Sequence, residues 1–410
     1  MTKQLNRLQW RQVPLNDVCL KIQDGAHNSP KEQFSVGGPR RYLYVTSKNI
    51  RNNFIDLSNV SYVSQDFHDQ IYPRCTPEVG DVLLTKDGAN TGNVTLNTIA
   101  EPFSLLSSVA LIKTDPTVLM PEFLSYYLQS PQGLGQITGQ MTGTAIKRII
   151  LRDLKAAHIP LPPKPEQQRI IAIIDESLEA IATARANSEQ SLRNTRDLFL
   201  GNLSTMFAEI WNATTTTKMS DLATDITDGD HMPPPKSKEG VPFVTISNID
   251  KQSRVLDFSD TYFVSRDYFQ GLKPNRRPRR GDLLYTVTGS FGIPVKVEDD
   301  VEFCFQRHIG LIRPKPDVST SWLYYLVLSP QLSRQARERA TGTAQKTVSL
   351  SVLRDFSVPM LSLTKQKHMA TKLDELKIET ERLEMVYKRK LEALDELKQA
   401  VLSSAFSGGL

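Results

Sequence analysis

The second half of this chain repeats the first. Ile22-Gln-Asp-Gly-Ala-His27, followed by Lys31, returns as Ile226-Thr-Asp-Gly-Asp-His231, followed by Lys236. Leu15-Asn-Asp-Val18 returns as Met219-Ser-Asp-Leu222, and Ser130-Pro-Gln132 as Ser329-Pro-Gln331. Tyr44-Val-Thr-Ser-Lys-Asn-Ile50, Val79-Gly-Asp-Val-Leu-Leu-Thr85 and Thr142-Gly-Thr-Ala145 return as Phe243-Val-Thr-Ile-Ser-Asn-Ile249, Arg280-Gly-Asp-Leu-Leu-Tyr-Thr286 and Thr341-Gly-Thr-Ala344, at offsets of 199, 201 and 199 residues. A near-constant offset across six separate blocks marks a duplicated domain. The period is far too long for a solenoid of 20–50-residue units.

Each half reads as a strand-rich module followed by one long helix. Short apolar runs at Tyr42–Val45, Val82–Thr85 and Val109–Lys113, and their counterparts Phe243–Ile246, Leu283–Val287 and Ile309–Arg313, are separated by Gly, Asn, Asp and Pro, the strand-and-turn pattern. Short helices are expected at Pro121–Leu128 and Ser321–Leu328. The Pro-rich approach Ile159-Pro-Leu-Pro-Pro-Lys-Pro165 forbids helix until Pro165, which suits the first helical position. From there to Phe207 one helix is expected, about 60 Å long at ~1.5 Å per residue. A second is expected from Thr364, a candidate N-cap, to Phe406. In the second, Leu373, Leu376, Thr380, Leu383, Tyr387, Lys390, Leu394, Leu397 and Val401 alternate steps of three and four, a heptad seam. The first offers Ile174, Leu178, Ile181, Leu192 and Leu198 or Phe199, with Ser188 and Thr195 interrupting. Helices this long and weakly apolar are poorly stable alone, so the two are expected to pair with each other. The fold class that follows is α+β: two mixed modules, residues 1–160 and 211–360, separated by two long helices, residues 161–210 and 361–410.

No catalytic site is legible. Gly88-Ala-Asn-Thr-Gly92 lacks the Lys of a phosphate loop, Gly133-Leu-Gly135 lacks the third Gly of a dinucleotide fingerprint, and no Asn-Pro-Pro or Asp-Pro-Pro of an amino-methyltransferase occurs. Carboxylate-x-Lys steps occur at Asp153–Lys155, Glu375–Lys377 and Glu396–Lys398, of which the last two fall on the second long helix and read as solvated or paired charge. The histidines show no metal-ligand spacing, and the scattered Cys19, Cys75 and Cys304 fit neither zinc nor a disulfide framework. No signal-like N-terminus and no ~18-residue apolar run is present, so a cytoplasmic chain without a membrane span is expected.

The net charge of +5 permits nucleic-acid binding without establishing it. The repeated loops concentrate the relevant groups. Thr142, Thr144, Lys147 and Arg148, and again Thr341, Thr343 and Lys346, put hydroxyls and cations on a Gly turn suited to phosphate or base contact. Lys31, Lys236 and Lys238 follow the two Asp-Gly turns, and Lys86 follows its strand directly. Arg276, Arg277, Arg279 and Arg280 form the densest basic run, either a solvated face or a phosphate contact. His27 and His231 either cap their turns or present a loop to DNA. Phe103–Ser108 aligns with Phe303–His308, where Gln306 and Arg307 suit adenine or guanine edges and Ser107 and Ser108 do not.

Taken in this order and twice over, these motifs resemble the DNA-specificity (S) subunits of Type I restriction–modification systems. Ile-Pro-Leu-Pro-Pro-x-x-Glu-Gln before the first long helix and the ending Leu402-Ser-Ser-Ala-Phe-Ser-Gly-Gly-Leu410 belong to the same pattern. The second Pro-rich approach departs from it, keeping only Pro359 and Gln366. The resemblance implies two target-recognition domains, each reading one half of a split asymmetric site on double-stranded DNA, and an antiparallel coiled coil between them. It implies a chain with no catalysis and no cofactor of its own. Two methyltransferase subunits would carry S-adenosylmethionine for adenine methylation, and restriction-motor subunits would carry ATP and Mg for cleavage, in a host-defence system. The competing readings are a self-contained modification enzyme or nuclease, a peptide-binding adaptor, and a DNA-binding adaptor or nuclease-associated protein outside restriction–modification.

Overall fold

The computed structural model describes residues 10–139, 148–343, 345–407 and 409. The chain forms two units, Met1–Glu189 with Arg389–Leu410, and Gln190–Lys388. In unit 1, β1 (Cys19–Asp24), α1 (Gln65–Cys75), β2 (Val82–Thr85), β3 (Val94–Leu96) and β4 (Val109–Thr114) lead to α2 (Pro121–Gln129) and α3 (Pro131–Thr138). The strands make an antiparallel sheet in the order β1-β4-β2-β3, with Leu111 opposite both Gln23 and Leu83. The central strands are covered on both faces, which is why they read as unbroken apolar runs. Val82, Leu84, Ala110 and Ile112 face Phe123 and Leu124 of α2, while Leu83, Val109 and Leu111 face Val45, Ile50 and Phe103. A second sheet joins Ser61–Ser64, Arg41–Val45 and Ser104–Leu105, the last pair parallel. A ribbon pairs Arg11–Pro14 with His158–Leu161.

One helix, α4 (Lys164–Ala213), follows, 50 residues long. Unit 2 then repeats unit 1. β5 (Ala223–Asp228), β6 (Leu283–Thr286), β7 (Pro294–Lys296) and β8 (Ile309–Pro314) take the order β5-β8-β6-β7, before α5 (Thr320–Leu328) and α6 (Pro330–Arg339). The second sheet and the ribbon recur as Tyr262–Val264, Val241–Val244 with Cys304–Phe305, and Thr216–Lys218 with Ser357–Pro359. The chain ends in α7 (Leu363–Ser407). The strand expected over Phe243–Ile246 stops at Val244, because the Asn248 side chain accepts from the Thr245 amide at 2.9 Å and bends Ile246–Asn248 into a 3-10 turn. Thr364 lies inside α7 and is not its N-cap.

Each unit is closed by parts of both long helices. In unit 1, Ile170, Ile171 and Ile174 of α4 share a core with Leu402, Ala405 and Phe406 of α7. The Phe406 ring stands 5.2 Å from Phe123, and further along Arg185 pairs with Asp395. In unit 2, Leu203 and Phe207 of α4 share a core with Met369, Ala370 and Leu373 of α7, and Arg196 meets Glu384 at 3.3 Å. Within each unit the two helices therefore run antiparallel.

The seam is half as expected. Leu373, Thr380 and Leu394 are buried, but Leu383 and Leu397 are exposed and Glu384, Leu391 and Lys398 turn inward instead. Phe199 rather than Leu198 is covered, and Ser188 and Thr195 are buried members of the seam rather than breaks. Their hydroxyls, like that of Thr380, donate to the carbonyls four residues back, at 2.7–2.9 Å, so none of these three hydroxyls is stranded.

The repeated short motifs fasten these joints. Ser130 and Ser329 cap α3 and α6, with the following Pro in the first helical position. Gln132 donates to Ser403 of α7, and Gln331 to Ser204 of α4. Buried Gln167 accepts from the Met120 amide and donates to Val118 and Pro162. Gln366 rebuilds the set with Ser319, Asp317 and Leu361. The second approach thus keeps the joint with Pro359 alone in place of the proline run. Tyr126 bonds Asp175, and Tyr325 bonds Asp374 at 2.6 Å.

Candidate nucleic-acid interface

Each head laces its repeated loops together at one end of the four-stranded sheet. In unit 1 the Asp24-Gly25 turn leaves β1, and the Ala26 amide donates to Leu105 O at 2.8 Å. Ser107 N donates back to Ala26 O, Lys86 N to Ser108 O and Ile149 N to Lys86 O, at 2.8–2.9 Å. Unit 2 makes the same bonds with its own residues. Asp230 N donates to Phe305 O, Arg307 N to Asp230 O, Val287 N to His308 O and Val348 N to Val287 O, at 2.8–3.0 Å. Glycine is required in both turns by crowding. A Cβ on Gly25 would lie 2.1 Å from Leu105 O, and one on Gly229 1.8 Å from Phe305 O.

A carboxylate organises each cluster. Asp24 is buried and binds Arg74 of α1 at 2.7 Å, Lys86 at 2.9 Å and His27 at 3.3 Å. Burial alone would raise its pKa, but hydrogen bonds from Arg74 and Lys86 outweigh this and hold it below the usual carboxylate range. In unit 2, Asp228 binds His231 at 2.9 Å and Arg276 at 3.3 Å. Val287 stands where unit 1 has Lys86. Beside it opens a cleft of about 520 Å³ lined by Asp228, His231, Thr288, Arg307, His308 and Gln345. Burial, then the charge of Arg307, pushes the His308 pKa down. Among the described residues no group of three or more His, Cys, Asp or Glu could hold a metal, and no described helix is long and apolar enough to cross a membrane.

The model of the Type I restriction modification DNA specificity domain matches residues 8–192 and 222–393, one match on each repeat. The chain belongs to this family. It is 22% identical to the EcoBI specificity subunit of an Escherichia coli Type I restriction enzyme over 366 residues, 83% of this chain and 74% of that one. It is 22% identical to the MjaVIII specificity subunit of Methanocaldococcus jannaschii over 347 residues, 80% and 78% of the two chains. A solved chain from work on complex assembly and conformational transition of the type I R-M system superposes with a TM-score of 0.76 at 20% identity, covering 98% of this chain and 99% of that one. The HsdS subunit from Thermoanaerobacter tengcongensis gives 0.60 at 20% identity, covering 98% of each. At such identity these structures speak to the fold.

Within this specificity fold the expected contact residues separate. Lys86, expected at the surface, is 7% exposed and held by Asp24, because the buried carboxylate needs a counter-charge. Arg276 is bound to Asp228, and Arg277 donates to the carbonyls of Gln270 and Leu272 and lies over Phe269. The basic run therefore splits, with only Arg279 and Arg280 exposed, Arg280 3.9 Å from Asp300. Arg148, Thr341, Thr343, Lys346 and Arg307 are exposed in the loop clusters and Gln306 is half-buried there. Thr142, Thr144 and Lys147 lie outside the described residues. Lys31, Lys236 and Lys238 are exposed beside the edge strand of each three-stranded sheet, the Lys236 ammonium 4.9 Å above Tyr262. Thr288, His308 and Gln345 escaped sequence reading. Only the fold brings them to the Asp228-Gly turn.

Proposed function

We propose that the chain is the specificity subunit of a Type I restriction–modification complex. Each head reads one part of a two-part, asymmetric site on duplex DNA. Partner methyltransferase subunits, two per complex, methylate adenine with S-adenosylmethionine, and restriction-motor subunits cleave with ATP and Mg. The chain itself catalyses nothing and acts in the cytoplasm. One observation carries this reading: the same hydrogen-bonded loop cluster is built twice, and the two copies present different side chains, Ser107 in one and Arg307 at the same place in the other. A scaffold repeated with unlike surfaces suits two unlike half-sites, since base identity is read by side chains and not by the frame that holds them.

The test is the methylated motif in the host, with and without the gene. Loss of one bipartite adenine-methylated motif on deletion is expected. Exchange of residues 1–160 for those of a relative should change one part of that motif and leave the other. Change in both parts, or methyl transfer by the purified chain alone, would overturn the reading.

A further inference from the structure

We propose that Arg307 reads a guanine in the DNA segment recognised by unit 2. This rests on the reading of the chain as a DNA-specificity subunit and names one base reader within it.

The duplication sorts contacts by type. A phosphate contact is independent of sequence, so both heads need it and both halves keep it. Lys147 recurs as Lys346, and a Lys follows each Asp-Gly turn, Lys31 in one half and Lys236 in the other. A base contact must differ wherever the half-sites differ. Arg307 and Ser107 occupy one place in the fold. Ser107 N donates to Ala26 O at 2.9 Å, and Arg307 N to Asp230 O at 3.0 Å, from the same turn after the same strand. The backbone is fixed alike and only the side chain changes. Ser107 cannot make a bidentate base contact, and the adjacent Ser108 hydroxyl is turned inward to accept the Ser47 amide at 3.1 Å.

Arg307 is also uncommitted. It is exposed, and among the described residues its guanidinium has no hydrogen bond or ion pair, whereas Arg276, Arg277 and Arg313 are all bound within the head. It stands on the cleft with Thr288 and Gln345 beside it. Its neighbour His308 is held toward the neutral ring by burial and then by the Arg307 charge. A free planar fork on an anchored backbone matches guanine O6 and N7 in the major groove.

The complex isolated from its host, carrying wild-type chain, Arg307→Ala or Arg307→Lys, is selected against randomised duplexes at fixed salt. Wild type should enrich a motif containing a fixed G·C pair. Arg307→Ala should lower discrimination at that one pair about tenfold or more and leave the rest of the motif intact. Arg307→Lys should not restore it, because an ammonium lacks the fork. Thermal melting at the wild-type temperature shows that both variants remain folded. An unchanged motif in Arg307→Ala, with weaker binding overall that Lys restores, would make Arg307 a phosphate contact and overturn the assignment. Failure of the wild type to enrich any motif would instead overturn the specificity-subunit reading beneath it.

Discussion

The Asp24 carboxylate, 3% exposed, is an acceptor shared by Arg74, Lys86 and His27. Removing it leaves Lys86 buried without a counter-ion, a situation that costs about 3–5 kcal/mol. Asp24→Asn should therefore destabilise unit 1 by roughly 3 kcal/mol, whereas Lys86→Met, which leaves Arg74 on Asp24, should cost less. The effect has a pH signature. Because the folded pKa of Asp24 is depressed, its contribution is present above the ordinary carboxylate value of ~3.9 and is lost as pH falls through the folded value. Melting temperature measured against pH should fall less steeply below about pH 4 in Asp24→Asn than in the wild type. Parallel acid limbs would remove Asp24 from this role. The Asp-Gly turn itself is legible locally, as a tight corner between apolar runs. Its counter-charge is not, because Arg74 is 50 residues away. Lys86 has the local look of a surface cation, and only the folded position of Asp24 buries it.

The long helices and their joints show the same division. Their existence follows from composition and from the proline stop, but the phase of the seam does not. Three of its fully buried residues, Ser188, Thr195 and Thr380, are polar, and apolar Leu383 and Leu397 face outward. A hydroxyl that bonds its own helix hides its polarity, so residue type misreports the face. The two phases are separable by mutation. Leu373→Ala should cost about 2–5 kcal/mol as a core truncation, and Leu383→Ala no more than roughly 0.5 kcal/mol, read by denaturant unfolding. Comparable costs would restore the heptad phase that the leucines alone suggest. At the joint, Gln366 is 1% exposed and satisfies the Ser319 amide and the Leu361 carbonyl. Gln366→Ala strands both, and each buried unsatisfied group costs about 1–3 kcal/mol. A loss of at least ~2 kcal/mol is expected, matched by Gln167→Ala in the other unit.

The duplication is plain in the sequence, but the way its parts combine into units is not, since a heptad pattern does not say which stretch of helix closes which core. Unit 2 is one continuous segment, residues 190–388, and unit 1 is two, residues 1–189 and 389–410. The second piece of unit 1 is no mere appendage. Leu402, Ala405 and Phe406 are buried among residues of α2 and the first turns of α4, with the Phe406 ring 5.3 Å from Tyr127 as well as against Phe123. Unit 2 owns its counterpart outright, because Leu203 and Phe207 precede their own head in the chain. The two halves should therefore differ sharply when cut apart. A fragment of residues 190–388 should melt cooperatively by itself. A fragment of residues 1–189 should not, because it exposes the apolar faces of α2 and α4 that α7 covers. Adding a peptide of residues 389–410 should restore a cooperative transition whose midpoint rises with peptide concentration, as for any ligand that binds only the folded state. In the full chain, Phe406→Ala should cost about 3–5 kcal/mol, with the loss confined to amides of unit 1 in hydrogen exchange. Cooperative melting of 1–189 without the peptide, or protection lost equally in both units, would show that the C-terminal stretch is not part of that core.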